Sequence, residues 1–185
     1  MNPNDFIRNI VTDTKIKLSD EFDRNFERKA FFDKKWPATK LRNTKGSLMV
    51  RSGNLRRSIQ SPKTSNTGII WTSSLPYSNI HNKGGEIVVT EKMKRFFWAM
   101  YYKTSGALTR IKSGELSSNQ RNMRIKSEAE QWKALALQKV GAKMKIEKRQ
   151  YLGHHPQIDK FLKEIVDKNI KDLNDDWKHN YLINR

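Results

Sequence analysis

The sequence contains no cysteine. That excludes disulfides, thiolate zinc sites and cysteine nucleophiles together. Nor is there a run of the ~20 apolar residues that a membrane helix requires. The longest run, Phe96 to Tyr102, is short and bracketed by Arg95 and Lys103. The opening Met1-Asn2-Pro3-Asn4-Asp5 lacks the basic-then-apolar order of a secretory signal. We therefore expect a soluble chain, made in a cytoplasm, with no membrane partner. Acidic residues are missing from a long central stretch: Lys34 to Gly85 contains ten Lys and Arg and no Asp or Glu. No glycine-rich phosphate loop follows a strand, and no serine sits in a nucleophile elbow. Of the four histidines, His154 and His155 are adjacent and point apart in an extended chain. No histidine spacing suits a helical zinc site, and Glu128 and Glu130 do not share a helical face. The reading is a non-enzyme with no catalytic residues, no cofactor and no metal.

What is present is a globular composition with a wet surface. Eight Phe, five Trp and five Tyr in 185 residues supply core side chains, while 30% of the residues are charged. The net charge is +18, and its distribution is uneven. Residues 1–33 hold six basic and seven acidic groups, and residues 156–185 hold six of each. Residues 86–155 hold fifteen basic and six acidic groups. A basic middle between neutral ends points to an acidic partner, either nucleic acid or an acidic protein surface, with a merely solvated basic surface as the alternative.

Periodicity predicts a helix from the start of the chain, with Phe6, Ile7, Ile10, Val11, Thr14, Leu18, Phe22 and Phe26 on one face. Ala30, Phe31, Phe32 and Trp36 continue the apolar supply until Pro37 stops the helix. Residues 37–47 read as a mobile basic loop. A turn at Ser52-Gly53 precedes a short helix or strand. Ser58 to Ser61 and Gly68 to Ser73 read as a hairpin. A short helix through Tyr77 and His81 ends at Gly84-Gly85, and Glu86 to Thr90 is a strand. Thr90 or Glu91 opens a helix through Met93, Phe96, Phe97, Met100 and Tyr101. Residues 104–126 read as a second mobile basic loop, Glu128 to Val140 as a helix ended by Gly141, Lys143 to Glu147 as a strand, and Pro156 as the start of a last amphipathic helix. The expected class is α+β, a mainly antiparallel sheet packed by long N- and C-terminal helices. The chain, 1–185, reads as a single domain.

Lys92, Lys94, Arg95, Phe96, Phe97 and Trp98 interleave charge and aromatics as a nucleic-acid surface does. A helix with Phe96, Phe97 and Met100 facing a sheet explains the same residues as core, and we favour that. No helix-turn-helix, zinc-finger or RNA-binding motif is visible.

Three patches in order resemble the phage virion morphogenesis family, the tail-completion proteins of Mu-like phages. Ser52-Gly53-Asn54-Leu55-Arg56-Arg57-Ser58-Ile59 is similar to its "TG-x-L-x-x-S-I/L" element. Leu75-Pro76-Tyr77-Ser78-Asn79-Ile80-His81-Asn82-Lys83-Gly84-Gly85 resembles "Y-A-x-I-H-x-x-G-G". Ile146-Glu147-Lys148-Arg149-Gln150-Tyr151-Leu152-Gly153 resembles "I-P-x-R-x-F/Y-L-G". Trp36-Pro37 loosely fits its "W-x-P-L" entry segment. Glu147 stands where the family has proline and Ser78 where it has alanine, and residues 104–140 form an insertion. The resemblance spans residues 36 to 170. It implies a structural protein of the neck or tail of a tailed bacteriophage or prophage, acting in tail completion or head–tail joining. It further implies a homo-oligomeric ring in contact with other neck or tail proteins, and the basic middle would then face either packaged DNA or an acidic protein neighbour. The chain would reside in the virion after assembly in the host cytoplasm. Gly53, Leu55, Tyr77, His81, Gly84, Gly85, Tyr151, Leu152 and Gly153 are its expected structural residues. The basic loops give candidate partner contacts: Lys40, Arg42 and Lys45 in the first, Arg110, Lys112, Arg121 and Arg124 in the second. Arg51, Arg56, Arg57 and Arg149 join them. The alternative reading is a basic nucleic-acid-binding protein.

Overall fold

A computed structural model of the chain describes residues 3–39, 46–60, 62–65 and 68–183. Its elements are α1 (Pro3–Arg28), β1 (Ala30–Phe31), β2 (Lys34–Lys35), α2 (Asn54–Ser58), β3 (Lys63–Ser65), β4 (Gly68–Ile70), α3 (Ser78–Lys83), β5 (Gly85–Val88), α4 (Glu91–Ser105), α5 (Gln120–Ala136), β6 (Lys143–Ile146) and α6 (Pro156–Ile183). The class is α+β, with long terminal helices and every strand pair antiparallel. The strands form three separate two-stranded ribbons, β1–β2, β3–β4 and β5–β6. No described helix is long and apolar enough to cross a membrane. The chain divides into two compact units, one built from α1 to α3 with α6, the other from β5, α4, α5 and β6.

In the first unit, α1 and α6 pack side by side. α1 buries Thr14, Leu18, Glu21, Phe22, Asn25 and Phe26, a stripe at three- and four-residue spacing. α6 answers with Ile158, Phe161, Leu162 and Asn169. Leu55, Ile59, Trp36 and Tyr151 close the same core. Trp71 packs edge-on against Phe22 at 5.3 Å and donates its indole N–H to Ser19 Oγ at 3.0 Å.

α1 does not run on toward Pro37, as its apolar supply suggested. It ends at Arg28, because Lys29 takes a left-handed φ of 54° and turns the chain. The next residues form the β1–β2 ribbon, with Ala30 opposite Lys35 and Phe31 opposite Lys34. Phe32, at its tip, also has positive φ, 55°, an uncommon state for a bulky residue. Its surroundings fix it there. The ring stacks on His155 at 4.5 Å, and the backbone N–H donates to Asn25 Oδ1 at 3.0 Å.

Two further boundaries move. Ser58 ends α2 rather than starting a strand, because burying Leu55 and Ile59 four residues apart requires a helix. The hairpin strand comes later, at Lys63–Ser65, and pairs with Gly68–Ile70. α6 opens at Pro156 as expected, and His155 Nδ1 accepts the Gln157 N–H at 3.2 Å across its first turn.

In the second unit, β5 and β6 pair from Gly85 opposite Ile146 to Val88 opposite Lys143. Backbone bonds extend the pairing: Val89 N–H donates to Ala142 O, and Gly141 N–H to Val89 O. Thr90 caps α4, its hydroxyl accepting the Met93 N–H at 3.2 Å. α4 and α5 pack against each other around Phe97, Leu135 and Ala136, with Met93, Trp98, Trp132 and Met144 half-buried beside them. α5 begins at Gln120, eight residues before the expected Glu128, and it ends at Ala136. Asn119 caps it by accepting the Asn122 N–H at 2.8 Å.

Candidate functional site

The residues of the three sequence patches that lie in the first unit meet around one side chain, Tyr151. Its ring is 1% exposed and packs on Phe26 at 5.2 Å. Its hydroxyl donates to Ser78 O at 3.0 Å, which ties the third patch to the second. Asn82 makes the join firmer. Its Oδ1 accepts the backbone N–H groups of both Tyr151 and Leu152, and its Nδ2 donates to Leu152 O. The backbone N–H of Arg149 donates to His81 O at 2.8 Å. Asn25, with no exposed surface, donates to Tyr151 O from α1. Trp36 donates its indole N–H to Gln150 O at 2.6 Å. The segment 149–152 has no regular secondary structure, and its backbone polar groups are satisfied by Asn25, Asn82, His81 and Trp36.

The first patch enters through packing and charge. Leu55 is buried in the core that holds Tyr151. Gly53 has φ of +74°, and a Cβ there would lie 2.6 Å from a nitrogen of the Arg57 guanidinium. Arg57 folds back on that turn, donating to Ser52 O and Asn54 Oδ1. Arg56 forks onto both oxygens of Asp23 and reaches Glu27 at 2.6 Å. The Arg56 guanidinium holds the Asp23 carboxyl below its ordinary range, and Asp23 with Glu27 raises Arg56 in turn. Arg149 is buried as well, its Nε donating to Pro37 O at 3.0 Å. So Arg56, Arg57 and Arg149, read from sequence as partner contacts, all have partners within the chain. Arg51 is exposed.

His81 lies half-buried, edge-on to Tyr77 at 6.0 Å, and its Nδ1 has no hydrogen-bond partner among the described residues. Burial, helped by the positive Arg149, lowers its pKa. Burial raises the Tyr151 phenol. Tyr77 is 40% exposed. Gly84 and Gly85, in the second unit, take positive φ of 74° and 146° where α3 gives way to β5. Gly153, with φ of +131°, allows the turn after Leu152. Among the described residues, no three His, Asp or Glu side chains converge as a metal site would require.

The second basic loop is more ordered than its composition suggested. Residues 120–126 belong to α5, and the residues before them form a turn closed by an Arg110–Leu116 bridge. Asn122, 3% exposed, holds that turn. Its Oδ1 accepts from the Thr109 N–H and hydroxyl, and its Nδ2 donates to Thr109 O and Ser117 O. Arg110 donates to Gly114 O at 2.6 Å. Lys112, Arg121 and Arg124 are exposed. Lys40, Arg42 and Lys45 lie outside the described residues.

On α4, Phe97 is core, as favoured, but its neighbour Phe96 is 54% exposed and Tyr102 is 65% exposed. One residue advances a helix by 100°, so Phe96 and Phe97 cannot both face inward.

Sequence reasoning missed Asn25, Asn82 and Asn122. A lone asparagine carries no periodic signal, and its value emerges only when distant backbone groups are brought to it. Comparison of the chain with protein-family models, with curated proteins and with solved structures finds no match.

Proposed function

We propose that this chain is a structural protein of a tailed bacteriophage or prophage, acting in tail completion or head–tail joining as part of an oligomeric ring. The observation that supports this reading is the meeting of the three motif patches. Leu55, His81 with Asn82, and Arg149 to Leu152 lie far apart in sequence yet share one interior around Tyr151. Residues that recur in a family for architectural reasons behave this way: they are buried, bonded to backbone and remote from any reacting group. The motifs therefore specify a scaffold, and the exposed cations of Arg51, Lys112, Arg121 and Arg124 are left for neighbours in the neck or tail.

The test is deletion of the gene in an inducible phage, followed by electron microscopy of the particles. The expected result is full heads beside detached tails, or tails of irregular length. Normal, infectious particles would overturn the assignment.

A further inference from the structure

α4 carries side chains that its own packing leaves unused. Its inner face, Met93 and Phe97, meets α5 and the β5–β6 ribbon within the second unit. Helical spacing places Lys92, Arg95 and Lys103 along the outer face. On one flank of that basic row lies Tyr102, 65% exposed and stacked on Trp98 at 5.9 Å with an interplanar angle of 26°. On the other lies Phe96, 54% exposed, its ring edge-on to Trp132 at 6.0 Å. Among the described residues, Lys92, Lys94, Arg95 and Lys103 form no ion pair and no side-chain hydrogen bond. The helix has one acid, Glu91, in its first turn. The unit around it is basic throughout, with thirteen Lys and Arg against six Glu between Gly84 and Glu147.

We propose that the outer face of α4 binds single-stranded nucleic acid, with bases stacking on Tyr102 and Phe96 and phosphates meeting Lys92, Arg95 and Lys103. Two demands select this ligand. Unpaired cations in a row call for repeated negative charge, and flat rings at the rim call for flat apolar faces. A single strand offers both at once. A duplex keeps its bases stacked on one another and presents only their edges. An acidic polypeptide would answer the cations and leave the rings in water. A second copy of this chain brings a like charge of +18. The inference is independent of the assembly role, and each stands or falls without the other.

The test is fluorescence anisotropy on the full chain with a short labelled oligothymidylate, the matching oligouridylate, an abasic oligomer of equal length and a duplex. Binding to either single strand about 10-fold tighter than to the abasic oligomer is the expected result. Tyr102→Ala should weaken oligothymidylate binding about 5-fold or more and leave abasic binding unchanged. A thermal melt that matches the parent's shows that the variant is folded. Replacing Lys92, Arg95 and Lys103 together by Gln should flatten the dependence of log affinity on log salt by about 2. Equal affinity for abasic and base-bearing oligomers would overturn the proposal. So would preference for the duplex, or displacement by polyglutamate or anionic vesicles as readily as by oligothymidylate.

Discussion

In the first unit Lys17, Arg24, Arg28 and Arg56 all end on carboxylates of α1, whereas on α4 of the second unit Lys92, Lys94, Arg95 and Lys103 end on none among the described residues. The contrast extends to burial. Glu21 is 5% exposed, yet both Lys17 and Arg28 reach its carboxylate. Burial pushes its carboxyl up, but hydrogen bonds from Arg28 and Lys17 outweigh that and leave it below its ordinary range. The first unit thus uses charge inside its own architecture. In the second unit, α4 holds Phe96, Tyr102 and its cations outward, with both rings more than half exposed. A charge engaged within the fold changes stability when removed, and a charge held in water changes only what the surface attracts.

The first unit is most sensitive at Tyr151. Tyr151→Ala removes a ring packed on Phe26 and a hydroxyl bonded to Ser78 O, and should cost about 3–5 kcal/mol in chemical denaturation. Asn122→Ala comes next. It strands Thr109 and Ser117 backbone groups, at a cost of about 2 kcal/mol. Faster amide exchange and tryptic cleavage near Arg110 and Lys112 should appear locally, with the first unit unaffected. Arg56→Gln should follow, at about 1–2 kcal/mol, because Asp23 keeps its half-buried site without its partner.

Acid sharpens the contrast by a smaller step. His81 is held below its ordinary pKa of ~6.5, so the unfolded chain binds the proton more readily. Its contribution is fully present above that value and is lost as pH falls through the lowered folded pKa. Asp23 and Glu21, also lowered, lose theirs further down, as pH falls from the ordinary carboxylate range through their lowered folded values. Thermal melts should therefore weaken in two stages as pH drops from neutrality. His81→Gln should erase the first stage and leave the second.

Much of this architecture was readable in the residues. Thr90 as a cap, the strands on either side of α4 and α5, Pro156 at the start of α6 and the short helix before Gly84 follow from local chemistry. What the sequence hid depends on tertiary partners. Phe32 adopts positive φ only because His155 and Asn25 fix it, and no propensity predicts a phenylalanine there. The polar composition of residues 104–126 reads as a loop until Asn122 supplies four bonds to organise it. The motif patches were legible as motifs, but their meeting at Tyr151 required the fold. The paired state of Arg56 and Arg149 also lay beyond the sequence, since their partners are 33 and 112 residues away.

The division of charge can be tested on two variants with two readouts, denaturation and oligothymidylate binding. Arg56→Gln should lose stability and keep binding, while the Lys92→Gln, Arg95→Gln, Lys103→Gln triple variant should stay within about 0.5 kcal/mol of the parent and lose binding. A triple variant that unfolds as readily as Arg56→Gln, or an Arg56→Gln protein that loses binding while remaining fully stable, would contradict it.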